Sequence, residues 1–244
     1  MSNRRFYLFC LVALVFLAGI ACDRVAREMQ TTSSTVPLAG IKSSEIRIRP
    51  GAGEVVVRGG EIGDLMKADF RFNRRHWEPR VDFSDSGGRG RLVVERPRSR
   101  TFLLGRVRNE WDIELTNRIP LDLDFDFGAG KANLDLRGLS LRSLVIDMGV
   151  GELELDLTGD RSESLKASID GGIGHATILL PSDIGVRVRI DGGLGAVDAP
   201  GFSKNGHDYT NAAFGRSKIE IDLEIDAGIG QIDLKMRGRS TASF

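Results

Sequence analysis

Five copies of Asp-x-Gly-x-Gly recur along the chain: Asp126, Gly128 and Gly130; Asp147, Gly149 and Gly151; Asp170, Gly172 and Gly174; Asp191, Gly193 and Gly195; Asp226, Gly228 and Gly230. Successive copies lie 21, 23, 21 and 35 residues apart. A degenerate sixth copy, Gly51-Ala52-Gly53, carries Arg49 where the aspartate would stand. A period of this length marks a repeat architecture, in which no single unit can bury its apolar side alone.

The residues around each copy repeat in phase with it. Before the glycines stand apolar pairs such as Leu123 and Phe125, Leu144 and Ile146, Val188 and Ile190, Leu223 and Ile225. After them stand Val55 and Val57, Leu153 and Leu155, Ala176 and Ile178, Ile232 and Leu234. Charged side chains fill most positions between, as in Leu121-Asp122-Leu123-Asp124-Phe125-Asp126. Alternation at period two is the pattern of a strand with one dry and one wet face. Each unit therefore reads as strand, glycine turn, strand and a second corner, such as Arg137-Gly138 or Thr158-Gly159. The predicted fold is all-β: a parallel β-solenoid of successive coils stacked at ~4.8 Å into a prism roughly 25 Å long. An antiparallel sandwich also accommodates short strands with glycine turns, but it does not require turn and apolar pattern to stay in phase.

The repeat region is predicted over residues 121–238, with a tail at 239–244 and an N-terminal β region at 45–120 holding the first coil. Within the latter, Arg80-Val81-Asp82-Phe83 and Arg91-Leu92-Val93-Val94-Glu95 flank Ser86-Gly87-Gly88, which predicts an inserted hairpin. Trp111 to Leu115, then Arg118-Ile119-Pro120, lead back into the repeat. The 35-residue gap, with Pro200-Gly201-Phe202 and Asn205 to Tyr209, predicts a loop or small flap projecting from the last coils.

The paired Gly-x-Gly turns, the approach through Trp111 and Ile119-Pro120, and the segment from Tyr209 to Phe214-Gly215 resemble the toast-rack family of bacterial β-solenoid domains, related to adhesin-type and cell-wall-antibiotic-response domains. The resemblance spans most of residues 45–237 and rests on structural glycines and strand pattern. It implies an exported or membrane-associated all-β domain and supplies no catalytic residues.

The N-terminus agrees with export. Arg4 and Arg5 precede an apolar run from Phe6 to Ile20. That run is shorter than the ~20 residues a spanning helix needs, and small residues follow it, as in a secretory signal over 1–21. Ala18-Gly19-Ile20-Ala21-Cys22 resembles a lipobox. The resemblance implies that Cys22 becomes the lipid-bearing N-terminus, anchored to the inner or the outer membrane. Several acyl chains on one residue would meet the two-signal strength of stable anchoring. Residues 22–44, with Thr31-Thr32-Ser33-Ser34-Thr35, show no apolar period and predict a flexible tether. The only other cysteine is Cys10, inside the predicted signal, so no disulfide is expected in the domain.

Chemistry is harder to find. Lys and Arg together equal Asp and Glu at 34 each, so net charge gives no reason to expect nucleic acid. Gly130-Lys131 lacks the other residues of a phosphate loop, and Gly201 to Asn205 misses the last glycine of a nucleophile elbow. His76, His175 and His207 stand far apart, and no cluster has metal-ligand spacing. No enzyme, cofactor or metal is predicted. In a stacked solenoid the five aspartates would form a ladder. Either a cation sits between its rungs, or each aspartate accepts a hydrogen bond from the glycine two residues on and starts an Asx-turn. Residues 67–118 are rich in arginine, including Arg71, Arg74, Arg80, Arg89, Arg91 and Arg96, and could face anionic headgroups. The expected function is a membrane-anchored cell-envelope lipoprotein: a non-catalytic scaffold with an envelope protein partner or self-association, extracytoplasmic, with the family resemblance implying a part in envelope stress sensing. The alternative is a glycan- or cation-binding module using an outer face or the aromatic residues Phe202, Tyr209 and Phe214.

Overall fold

The computed structural model describes residues 29–97, 108–172, 174–192 and 194–238. The predicted signal, Cys22, Gly193 and the 239–244 tail lie outside the described residues. The strands are β1 (Gln30–Pro37), β2 (Ser43–Gly60), β3 (Asp64–Phe72), β4 (Arg80–Ser86), β5 (Arg89–Glu95), β6 (Asn109–Thr116), β7 (Leu121–Asp135), β8 (Leu141–Asp156), β9 (Leu165–Gly171), β10 (His175–Pro181), β11 (Gly185–Asp191), β12 (Leu194–Asp198), β13 (Ser203–Asn205), β14 (Asp208–Thr210), β15 (Glu220–Ala227) and β16 (Ile229–Arg237). One short 3₁₀ turn, Arg75–Trp77, interrupts them.

The long strands carry two wings of the fold. In β7 the buried positions are Leu121, Leu123, Phe125 and Phe127, then Ala132 and Leu134. Their parity changes from odd to even across Gly128–Lys131. A straight strand would keep one parity throughout, so the switch means that the backbone turns a corner and both wings face the same interior. β8 does the same around Gly149–Gly151, with Ile146 and Met148 buried before it and Leu153 and Leu155 after it. One hydrophobic cluster fills the space between the wings and runs from the first coil to the last. This is the predicted β-solenoid: parallel coils in register, Phe125 opposite Ile146 and Leu134 opposite Leu155.

Hydrogen bonding orders the first wing β4-β5-β2-β7-β8-β9-β15-β11-β14-β13, and the second β1-β3-β6-β2-β7-β8-β10-β16-β12. The expectation of successive coils stacked in sequence order is therefore corrected. The last coil in the chain, β15 with β16, is inserted between β9–β10 and β11–β12. Apolar content accounts for the exchange. Ile221, Leu223, Ile225, Ile232 and Leu234 are nearly fully buried, as an inner coil requires. β12 offers Gly195, Ala196 and Val197 in their place, and Val197 remains 37% exposed at the end of the stack.

The connection that makes the exchange topologically feasible is the long gap. Its β13–β14 hairpin is no projecting flap: β14 lies antiparallel on β11, and Tyr209 is 8% exposed. Asn211 locks the return by donating to the carbonyls of Pro181 and Ile184 and accepting from the Val186 amide.

The other end is covered twice. The β4–β5 hairpin forms as the sequence predicts and places β5 parallel to β2. On the second wing β6, β3 and β1 follow β2. β1 corrects the expectation of a flexible tether up to residue 44. Residues 30–37 pair with β3 along their length, Val36 is buried, and Ser33 donates to Asp69. An edge strand needs little apolar content, and β-branched Thr31, Thr32, Thr35 and Val36 suit an extended backbone.

Candidate functional site

Each repeated motif proves to be the corner between the wings. A side chain on Gly130 would put its Cβ 2.0 Å from the carbonyl oxygen of Gly53, and on Gly151 1.9 Å from that of Gly130. Gly149 faces Gly128 at 2.0 Å, and Gly195 faces Gly230 at 1.9 Å. Glycine thus repeats because the backbone of one coil lies directly on that of the next. Positive φ at Gly53, Gly130 and Gly151 adds a second reason.

The aspartates that precede these corners do form a ladder. Asp126 lies opposite Asp147, Asp147 opposite Asp170, Asp170 opposite Asp226, and Asp226 opposite Asp191. All five are exposed on the outer face of the first wing. Basic side chains flank both ends: Arg49 lies 3.8 Å from Asp126, and His207 lies 2.9 Å from Asp191 beside Arg189. In the middle, partial burial and then the charges of Asp124, Asp126 and Asp170 raise the pKa of Asp147 above the usual carboxylate value.

The Asx-turn expected at these aspartates is overturned at two corners. The amides it would use, Gly172 and Gly228, donate to the carbonyls of Met148 and Gly171 on the adjacent coils. Turns of that kind occur at the second corner, where the Arg137 amide donates to Asp135 and the Thr158 amide to Asp156. There the chain leaves the stack and its amides need a side-chain acceptor.

Among the described residues no group of three or more His, Cys, Asp or Glu is placed to hold a metal ion. The three histidines stay apart, with His175 near Asp233, His207 at Asp191 and His76 edge-on to Trp77. Aromatic residues of the long gap do not make an exposed platform, since Tyr209 is buried beneath Lys204 and Arg187 covers Phe214. Several arginines of the basic segment are committed within the fold. Arg89 pairs with Asp122, Arg71 with Glu110, and Arg96 lies 4.6 Å over the Trp77 ring while donating to the Pro50 carbonyl.

Beside the glycine corner, β6 walls an open groove of about 700 Å³ lined by Gly53, Glu54, Asn109, Gly130, Lys131 and Glu152. Lys131 pairs with Glu154 at 3.3 Å and Glu152 at 3.5 Å; the Glu154 hydrogen bond chiefly holds its pKa above the ordinary value. Asn109 closes the degenerate first corner by donating to the carbonyls of Pro50 and Ala52, and it accepts from the Trp111 indole. Sequence reading did not single out Asn109, and it named Arg96 only as one arginine of the basic segment. The available signal was the lost aspartate at Arg49, which marks a corner facing a cap and not another coil. The outer faces thus offer a rigid, charge-patterned surface. None of the residues lining the groove is a Ser, Thr, Cys or His.

A profile described as the N-terminal domain of toast_rack, DUF2154, matches residues 25–179. The crystal structure of a candidate cell adhesion protein from Clostridium sporogenes ATCC 15579 superposes with a TM-score of 0.80 at 30% identity, covering 86% of this chain and all of that one. A candidate adhesin from Bacteroides fragilis NCTC 9343 matches over 85% of this chain and 97% of its own, but at 12% identity and a TM-score of 0.28 it carries no argument. No protein of curated function matches.

Proposed function

The chain belongs to the toast-rack family, and from that premise we propose that it is a lipid-anchored envelope protein whose solenoid is a non-catalytic interaction scaffold. The observation that carries the reading is the likeness, over 86% of this chain and all of that one, to a candidate cell adhesion protein. The surface is consistent with it. Stacked coils hold the outer side chains of the first wing in fixed rows ~4.8 Å apart, a rigid array that loses little freedom on binding. Exposed Val145 stands among the acidic rows and gives them an apolar contact.

Anchoring rests on Cys22 and the segment before it. Among the described residues no helix is long and apolar enough to cross a membrane. β1 begins at Gln30, so few residues separate the proposed lipid from the folded domain. The domain would therefore work close to the bilayer, with a partner in the envelope, and a part in envelope stress sensing belongs to the same proposal.

The test is in-cell crosslinking with mass spectrometry on the natural chain, Cys22→Ala, and the double variant Asp147→Lys with Asp170→Lys. The expected result is membrane fractionation lost in the first variant, and one specific crosslinked protein lost in the second while its melting temperature holds. Unchanged fractionation of Cys22→Ala would remove the anchor. Identical crosslinks from natural and charge-reversed chains would remove the proposed face.

A further inference from the structure

The second corners differ from one another where the glycine corners do not. Between β7 and β8 the corner is residues 136–140; between β8 and β9 it is residues 157–164, and it carries Arg161. Together with Asn117–Pro120, which joins β6 to β7, these two corners line an open pocket of about 410 Å³. Its lining includes Arg118, Pro120, Ser140, Asp160, Arg161 and Ser162.

Among the described arginines, Arg161 is set apart by two enclosed guanidinium nitrogens. Its Nε and Nη2 are shut off from solvent and have no hydrogen-bond partner, although the residue as a whole keeps some surface. Burial pushes its pKa down to about 10, with no carboxylate acting to raise it. An unsatisfied buried donor costs about 1–3 kcal/mol, and more when charged, so folded proteins rarely leave one. Nε and Nη2 form one edge of the guanidinium, the fork whose two parallel N–H groups match two oxygens of a carboxylate or phosphate.

We propose that this second-corner pocket is an oxyanion-binding site, in which the Nε–Nη2 edge of Arg161 grips a carboxylate or phosphate group. Arg118 adds a second positive charge to the lining, and the Ser140 and Ser162 hydroxyls supply further donors. The acidic Asp160 and Glu163, also in the lining, set the selectivity: they repel a polyanion and favour a mono- or dianionic ligand. Because Nε and Nη2 are closed to water, the eight-residue corner 157–164 must shift to admit the ligand. The site lies on a different corner from the aspartate ladder and does not depend on the ladder's having a partner.

The test uses the full chain in neutral detergent, titrated with inorganic phosphate, with succinate, and with vesicles containing anionic phospholipid. Sodium chloride at matched ionic strength is the control. Melting temperature and calorimetric heat are read for the natural chain, Arg161→Leu and Arg161→Lys. At about ten times its Kd, one oxyanion should raise the natural melting temperature by ~3–6 °C. Arg161→Leu should melt no lower than the natural chain without ligand, because it removes an unpaired buried charge. It should bind at least ~10-fold more weakly, and Arg161→Lys should also bind more weakly because it lacks the fork. A response to phosphate or succinate identifies a soluble ligand, and a response to vesicles alone identifies a headgroup. Failure of all three to act beyond the chloride control overturns the proposal. So does an unchanged response in Arg161→Leu, or loss of stability in that variant without ligand, since the guanidinium would then serve the fold.

Discussion

The two corners of each coil solve the same problem, reversing the backbone between strands, in opposite ways. At the glycine corner the chain stays in the stack: the carbonyl of one coil sits where the Cβ of the next would be, and sequence freedom is nearly nil. At the second corner the chain leaves the stack. It is held there by buried Leu136, Leu139 and Leu157 and by the side-chain acceptors Asp135 and Asp156, so its length can change from one coil to the next. The comparison teaches where a repeat protein can carry chemistry. The corner that repeats is occupied by the fold, and the corner that varies has room for a pocket and an unpaired arginine.

The sharpest way to break that contrast is Gly151→Ala. A methyl group 1.9 Å from the Gly130 carbonyl oxygen, on a residue with φ of 152°, should cost about 3 kcal/mol or more in urea unfolding. A loss below about 1 kcal/mol would mean that the coils part easily and the corner is not close-packed. Next comes Leu139→Ala, which removes the 1%-exposed apolar plug of a second corner and should cost about 2–3 kcal/mol. Gly138→Ala is the matched control for the first variant. Its φ is 67° and no atom lies within 4 Å of the added methyl, so only backbone strain of about 1 kcal/mol is expected. If Gly138→Ala is as damaging as Gly151→Ala, φ alone governs both corners and the stacking argument fails.

The smallest effect concerns the acid ladder. Asp147 has a raised pKa in the folded protein, so the fold is penalised once that group ionises. The sign follows: its unfavourable contribution is absent below the ordinary aspartate value, sets in as pH rises through the raised value, and persists at neutral pH. Asp147→Asn should therefore stabilise at pH 7 by ~0.5 kcal/mol, because the group is exposed and screened, and the gain should vanish in acid. Melting curves against pH check it; a stabilisation equal at both pH values would assign the effect to something other than charge. Asp135 behaves oppositely. Its hydrogen bond from Arg137 lowers its pKa, so the small stability it adds is present at neutral pH and lost as pH falls through that lowered value.

How much was legible follows from the range of the interactions. The corner motif, the alternation of Leu121 to Asp126 and the Arg80–Glu95 hairpin depend on residues close in sequence, and each was readable before any coordinates. β1 was not, because Thr31 to Thr35 become a strand only by pairing with β3 over thirty residues away. Arg161 was half visible: the 23-residue spacing between Asp147 and Asp170 marks a lengthened coil. That its guanidinium lacks partners depends on three connections meeting around it.

By itself the sequence determined that this chain is all-β, that it turns on repeated glycines, and that its aspartates fall at one register. Those features are set by local sterics and by the period of apolar side chains. Only the tertiary structure decided that the β15–β16 coil enters ahead of β11–β12, and that the glycine amides bond to the next coil and not to their own aspartates. It also decided that Nε and Nη2 of Arg161 would be closed off from solvent without a hydrogen-bond partner. The physical reason is common to all three. Parallel coils of one repeat pattern are nearly interchangeable as neighbours, and the total area each buries at a given place in the stack selects among arrangements that are locally alike.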